Sequence, residues 1–181
     1  MIGLPLGLLY ANAVEWGVHR YVLHGRKLGK KRGGFWSFHF HRHHRQSRQN
    51  GFADPDYEQP LGSGWNGQSK EAAGLILLSM AHLPLAPIAP VFTATLAWSA
   101  VDYYRKHKRA HLDPEWAREH LPWHVDHHMG PNPDANWCVT RPWMDVIMGT
   151  REPYVGTERE ARDEERRAER RAAKAAVSRA G

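Results

Sequence analysis

Thirteen histidines stand in a chain of 181 residues, a clustered excess that an ordinary soluble core does not show. Twelve of them fall in four short clusters: His19 and His24; His39, His41, His43 and His44; His107 and His111; and His120, His124, His127 and His128. Neutral imidazole is the commonest protein ligand for metals, and several imidazoles beside apolar segments are costly to bury unless they bind metal or one another. On a helix, His107 and His111 lie one turn apart on one face, as do His120 with His124 and His124 with His128, and His127 adds an i,i+3 neighbour to His124. His19 and His24 are five residues apart, about 140° around an ideal helix, and converge only if the helix ends or unwinds near Gly25. Roughly eight to ten imidazoles exceed the four to six donors one ion takes, so the pattern implies two metals. His82 stands alone in an apolar run and reads as packed or hydrogen-bonded rather than ligating.

The elements that must position these rings are apolar. The first charge in the chain is Glu15, and the run MIGLPLGLLYANAV before it reads as a membrane-entering helix that stays in the mature protein, with no basic start or small-residue cleavage site. Ala72 to Val101 is thirty residues without Lys, Arg, Asp or Glu. As one helix it would be about 45 Å long, against a hydrocarbon core of roughly 30 Å. Pro84, Pro87 and Pro90 interrupt its centre, so a hairpin is as plausible as a single span. A single crossing would put the early and late histidines on opposite sides of a bilayer, whereas a hairpin returns them to one side. Residues 51–70, rich in Gly, Pro, Asp and Asn, read as a loop with turns.

Charge adds a second constraint. Lys and Arg number 25 against 19 Asp and Glu, a formal net charge of +6 with histidine neutral. Eight of the basic residues lie between Gly25 and Asn50, a stretch with no Asp or Glu, interleaved with Phe35, Trp36, Phe38 and Phe40. Basic and aromatic residues flanked by apolar runs mark the headgroup level of a membrane better than a nucleic-acid surface. With Arg105, Lys106, Lys108 and Arg109 they form one basic face, expected on the cytoplasmic side. The single Cys138 excludes an internal disulfide and a Cys-x-x-Cys site. From Thr157 onward the chain is nearly all Glu, Arg and Ala, with Glu158–Arg162 and Asp163–Arg167 at i,i+4 spacing. The expected organisation is a membrane-embedded, histidine-bearing domain over 1–156 and a charged helical or disordered tail over 157–181.

The order EWGVHRYVLHG, HFHRHH, HKRAH and HLPWHVDHH, followed by NWCVTRPWMDVIMGT, resembles the fatty acid hydroxylase/sterol desaturase superfamily of integral-membrane di-iron oxygenases over roughly residues 12–150. Its boxes are H-x-x-x-x-H, H-x-x-H-H, H-x-x-x-H and H-x-x-H-H. The resemblance implies an all-α, integral-membrane bundle with a cytoplasmic-side dimetal site. Box one is met by His19 and His24, box three by His107 and His111, and box four by His124, His127 and His128. Box two departs: Phe40 stands where its first histidine belongs, before His43 and His44, and His41 is favoured over His39 to replace it. Glu15, Asp102 and Asp126 can accept ring N–H bonds and so orient imidazoles, and His120 is expected beside the ligands. Asn136 and Asp145, in the closing segment, either pack the structure or lie near the metals.

The resemblance further implies two iron ions, with zinc as a possible substitute in a purified sample, and O2 as the oxidant of an unactivated C–H bond. A fatty acyl or other lipid is the first expected substrate, with carotenoid hydroxylation or lipid desaturation as alternatives on the same site. No nucleotide, haem or Cys-cluster motif is present, so electrons are expected from an external donor protein. The expected partners are a lipid membrane, the lipid substrate and that donor, and no nucleic acid. From another class, a non-catalytic membrane metal-binding protein also accounts for the histidines.

Overall fold

A computed structural model describes residues 2–180, so Met1 and Gly181, at the ends of the two expected segments, lie outside it. Every regular element among the described residues is helical, in agreement with the all-α expectation. Helix α1 spans Gly3–Val18, and its Pro5 falls in the first turn, where the missing N–H has no intrahelical acceptor to lose. It runs without a break into a π-helical turn, His19–Leu23. A second π-helical turn, His39–His43, leads into the short α2, His44–Gln49.

Helix α3, Gly67–His82, begins at Asn66, whose side chain accepts from the Ser69 amide at 2.9 Å. Helix α4 spans Pro90–Leu112. A tight turn at Leu83–Leu85 and the prolines Pro84, Pro87 and Pro90 separate the two helices, and α3 and α4 pack against each other as the two arms of a hairpin. The fold-back thus occurs where proline removes backbone donors. Helix α1 crosses α4 so closely at Gly7 that a Cβ there would stand 2.8 Å from the Thr95 side chain. The hydroxyls of Thr93 and Thr95 bond back to Ala89 and Val91 of their own helix, which leaves methyl groups for the contact.

Three short helices cap the bundle at the histidine end: α5, Pro114–His120; α6, Pro122–Met129; and α7, Trp143–Ile147. Proline opens both α5 and α6 at the first helical position. Helix α8, Glu158–Ala180, docks its first turns on this cap through Arg118–Glu160 at 2.7 Å and through Arg167, which donates to the Met129 carbonyl at 3.1 Å.

The interior is unusual in composition. Two small apolar clusters exist, one of Phe52, Ala110, Ala117, Leu121, Val125, Met129 and Tyr154, the other of Trp16, Trp137 and Cys138. Between them the chain buries imidazoles: His19, His107, His111, His124, His127 and His128 are among its largest fully buried side chains. Apolar side chains are instead exposed at the opposite end, as at Leu4, Leu9, Met80, Leu83 and Ile88. Among the described residues no helix is long and apolar enough to cross a membrane, because the thirty-residue apolar run is split by its prolines.

Candidate metal centre

The two π-helical turns decide the first group of rings. A residue inserted into the i→i+4 ladder gives i→i+5 bonding, and the amides of His24 and His44 donate to the carbonyls of His19 and His39. Residues five apart then share a face. His19 and His24 come together at 5.1 Å between ring centroids, and His39 and His44 at 5.0 Å. Convergence of box one arises from widening of the helix before Gly25, with Gly25 permitting the turn that follows: a Cβ there would meet the Tyr21 carbonyl oxygen at 2.0 Å.

Two adjoining groups result. His19, His24, His39, His44 and His127 form one, and His43, His107, His111 and His128 the other; within each, one ring nitrogen per residue lies within 4.8 Å of all the rest. The sequence neighbours His43 and His44 serve different groups, and so do His127 and His128, because adjacent helical residues point about 100° apart. His44 and His128 stack across the boundary at 4.2 Å. His124 adjoins the second group, its Nε2 3.1 Å from that of His111.

Five of the rings are held from behind. His43 Nδ1 faces the Asp54 carboxylate at 2.6 Å and His107 Nδ1 faces Glu71 at 2.7 Å. His111 Nδ1 donates to the Phe52 carbonyl at 2.8 Å and His127 Nδ1 to that of Ala135 at 2.6 Å, while His19 Nδ1 donates to Trp137. These bonds fix the proton on Nδ1 and turn Nε2 inward as a bare acceptor. In the first group the bare Nε2 of His19 meets His39 Nε2 at 2.9 Å, and the bare Nε2 of His127 meets His44 Nε2 at 3.1 Å. In the second, the buried Nε2 atoms of His43, His107 and His128 have no hydrogen-bond partner. Lone pairs so gathered repel unless a cation lies among them, and Zn–N or similar bonds of roughly 2.0–2.1 Å match such spacings. The donor set fits one metal per group.

Electrostatics agree with that chemistry. Burial, together with neighbouring imidazoles, holds His44, His127 and His128 well below the ordinary histidine range, and burial pushes His24 down to about 2. All are neutral at physiological pH, the form in which imidazole can bind a metal. Burial works against the Asp54 carboxylate, but its hydrogen bond with His43 holds it below its ordinary value. Burial raises the Cys138 thiol, which leaves it inert.

A sequence profile of the fatty acid hydroxylase family matches residues 4–150, most of the chain. The chain belongs to the fatty acid hydroxylase family. No curated protein and no solved structure matches it. The family is one of hydroxylase and desaturase enzymes, and its membership together with two buried histidine groups points to a metal-dependent, hydroxylase-type oxygenase.

Within this family chain several expected positions are redistributed. His39, not His41, lies among the rings; His41 Nε2 bonds the Lys30 carbonyl at 3.0 Å instead. The spacing of His39 and His44 repeats that of His19 and His24, a signal present in the sequence once both are read as H-x-x-x-x-H. His120 is half-exposed, stacks on Trp116 and bonds its carbonyl, away from the groups. Asp102 pairs with Lys106 at 3.0 Å, and Asp126 with Arg151 at 2.6 Å and the Tyr154 and Val155 amides, so neither orients an imidazole.

Glu15 also touches no ring: it accepts from Val139 and Thr140 and so clamps the closing segment to α1. Asp145 accepts from the Trp137 and Cys138 amides at 2.8 Å, and Asn136, in the left-handed region at φ 57°, exchanges bonds with Glu152. These three hold the segment whose Ala135 and Trp137 carbonyls orient His127 and His19. The carboxylates that do face rings, Asp54 and Glu71, escaped the sequence analysis because one sits in the presumed loop and the other flanks an apolar run.

Above the first group lies an apolar cavity of about 430 Å³ between α1, α3 and α4, whose lining includes Leu75, Leu78 and Leu96 and also His19 and His39.

Proposed function

We propose that this chain is a di-iron oxygenase that hydroxylates an unactivated C–H bond of a lipid held in the cavity between α1, α3 and α4. The observation that carries the reading is the junction of two inward-facing imidazole groups with an apolar cavity that reaches two of their rings, His19 and His39. Irons bound there would supply the reduction of O2 and the removal of hydrogen from carbon. The chain's own residues do the rest. Asp54 and Glu71 keep the Nδ1 protons of His43 and His107 and thereby the basicity of the opposite nitrogens. The leucine-rich wall excludes water and holds a hydrocarbon against His19 and His39.

A bilayer is the proposed surroundings of the apolar end. Glu15, Glu71 and Asp102 are the first charges reached from that end along α1, α3 and α4, after apolar stretches of at most about 18 Å, close to one leaflet of a roughly 30 Å core. The indoles of Trp98 and Trp143, flanking the Arg141 guanidinium at 5.8 and 5.2 Å, suit the headgroup level. The basic 26–48 stretch then lies on the cytoplasmic side, where it can dock an acidic electron donor.

The test is metal content and product together. Two irons per chain and an O2-dependent gain of one oxygen in host lipids, lost on His127→Ala or His128→Ala, are expected. Tight zinc retention with no oxygenated lipid in an iron-replete, donor-supplied membrane would favour a metal-binding protein without catalysis.

A further inference from the structure

One wall of the cavity is incomplete. Helices α1 and α3 each pack along α4, α1 most closely at Gly7, yet they scarcely pack on one another. Val14 and Val18 of α1 line the space between them, as do Leu75 and Leu78 of α3, and Leu96 of α4 lies at its floor. Opposite that floor no further helix among the described residues lines it. At the imidazole end Trp36 lies over the gap with its indole against α3, where a Cβ at Gly74 would stand 3.4 Å from it. At the other end two lining residues are also exposed, Tyr10 at 41 % and Leu77 at 65 %, so the cavity has its mouth there.

A single side-chain bond spans that mouth. The Tyr10 hydroxyl donates to His82 Nε2 at 3.0 Å, and the two rings meet edge to face at 5.5 Å. His82 Nδ1 donates to the Leu78 carbonyl at 2.7 Å, which leaves Nε2 as the acceptor. Among the described residues this is the one hydrogen bond between α1 and α3. Its neighbours Leu6, Leu9, Met80 and Leu83 are exposed and apolar. A hydroxyl and an imidazole in hydrocarbon hold each other because nothing else there can bond them. Breaking that bond and turning the two side chains frees the gap, while both helices stay anchored on α4.

Resting on the reading of the cavity as a lipid site, we propose that the gap between α1 and α3 is a lateral portal through which a hydrocarbon chain passes from the bilayer into the cavity, and that Tyr10 and His82 form the clasp that shuts it. The partner is bilayer lipid, because the rim of the mouth carries no charge: the first charges reached along the two helices are Glu15 and Glu71. Tyr10 stands nine residues before His19, about 13 Å along the helical path. A chain still held at the clasp must therefore be slender and extended to reach the first imidazole group.

Photolabelling of the full chain in lipid nanodiscs tests the route, with hexadecane bearing a mid-chain diazirine as the probe. Leu96 is buried and lines the cavity, so label there, located by mass spectrometry, reports a chain inside; the exposed Ile88 reports contact with the bilayer. In the double variant Tyr10→Cys and His82→Cys, joined by a thiol-cleavable cross-linker, label at Leu96 should fall at least tenfold while label at Ile88 stays. Reductant should restore it, and the native Cys138 is buried and takes no cross-linker. Tyr10→Phe keeps the ring but loses the bond, and should shorten the half-time of Leu96 labelling about fivefold, which loss of a mere brace would not do. Leu96 labelling as fast with the cross-link intact, or unaltered in Tyr10→Phe, would overturn the portal and leave the cavity a lipid site. No label at Leu96 in any form, with Ile88 labelled, would overturn both. If label enters as stated but hexadecane gains no oxygen in the iron-loaded, donor-supplied protein, the portal stands and the oxygenase reading fails.

Discussion

What a ring nitrogen bonds separates the rings of the centre from their neighbours, and that gives substitutions opposite expectations. His39→Ala should lower metal content measured by plasma emission to about one ion per chain, whereas His41→Ala, which removes only a bond to the Lys30 carbonyl, should leave it unchanged. Asp54→Asn keeps shape but weakens the acceptor for His43, and a ten- to hundredfold loss of metal affinity is expected in a chelator competition. Acid should act on the metal-free fold in a defined direction. The buried His24, His44, His127 and His128 have folded-state pKa values below 6.5, with His24 at about 2, so below pH 6.5 the unfolded chain binds protons that the folded chain refuses. Stability is full above pH 6.5 and is lost as pH falls toward the folded values, by about 1.4 kcal/mol per pH unit for each such ring. Thermal unfolding of the apo-protein between pH 8 and 5 measures it; a midpoint independent of pH would contradict the neutral burial of these rings. Histidine identities were legible in the sequence, but their partners were not, since Asp54 and Phe52 lie in a stretch whose composition is that of a loop.

Two π-helical turns are the local devices on which the first group depends. They raise the number of residues per turn so that His19 meets His24 and His39 meets His44, and the first of them ends where the chain turns at Gly25. Gly25→Ala would drive a Cβ into the Tyr21 carbonyl oxygen. Its cost should reach about 3 kcal/mol, at the upper end for overpacking, read as a drop in the apo-protein's Tm together with loss of the first metal before the second. Unchanged Tm and metal content would show that the turn tolerates a side chain. Helix spacing rules locate His107 and His111 from sequence without help, because α4 is regular there. They fail for His19 and His24, since an i→i+5 insertion depends on tertiary contacts that hold both rings inward.

Across the molecule, the helical hairpin and the charged C-terminal helix act at opposite ends. Helix α8 touches the cap through Glu160 and Arg167, and neither contacts an imidazole. Deleting residues 157–181 should therefore lower Tm by a few degrees while metal content per chain is retained; loss of both metals would mean that α8 supports the centre itself. What residue order and composition decide here is the donor chemistry and the place of the fold-back: imidazoles in four clusters offer a set of metal donors, and prolines at 84, 87 and 90 mark where the apolar run can break, both being local properties of side chain and backbone. Tertiary packing decides which ring belongs to which metal group and which carboxylates stand behind them. Adjacent histidines diverge by a fixed helical angle, and only the placement of the other helices determines what each of them meets.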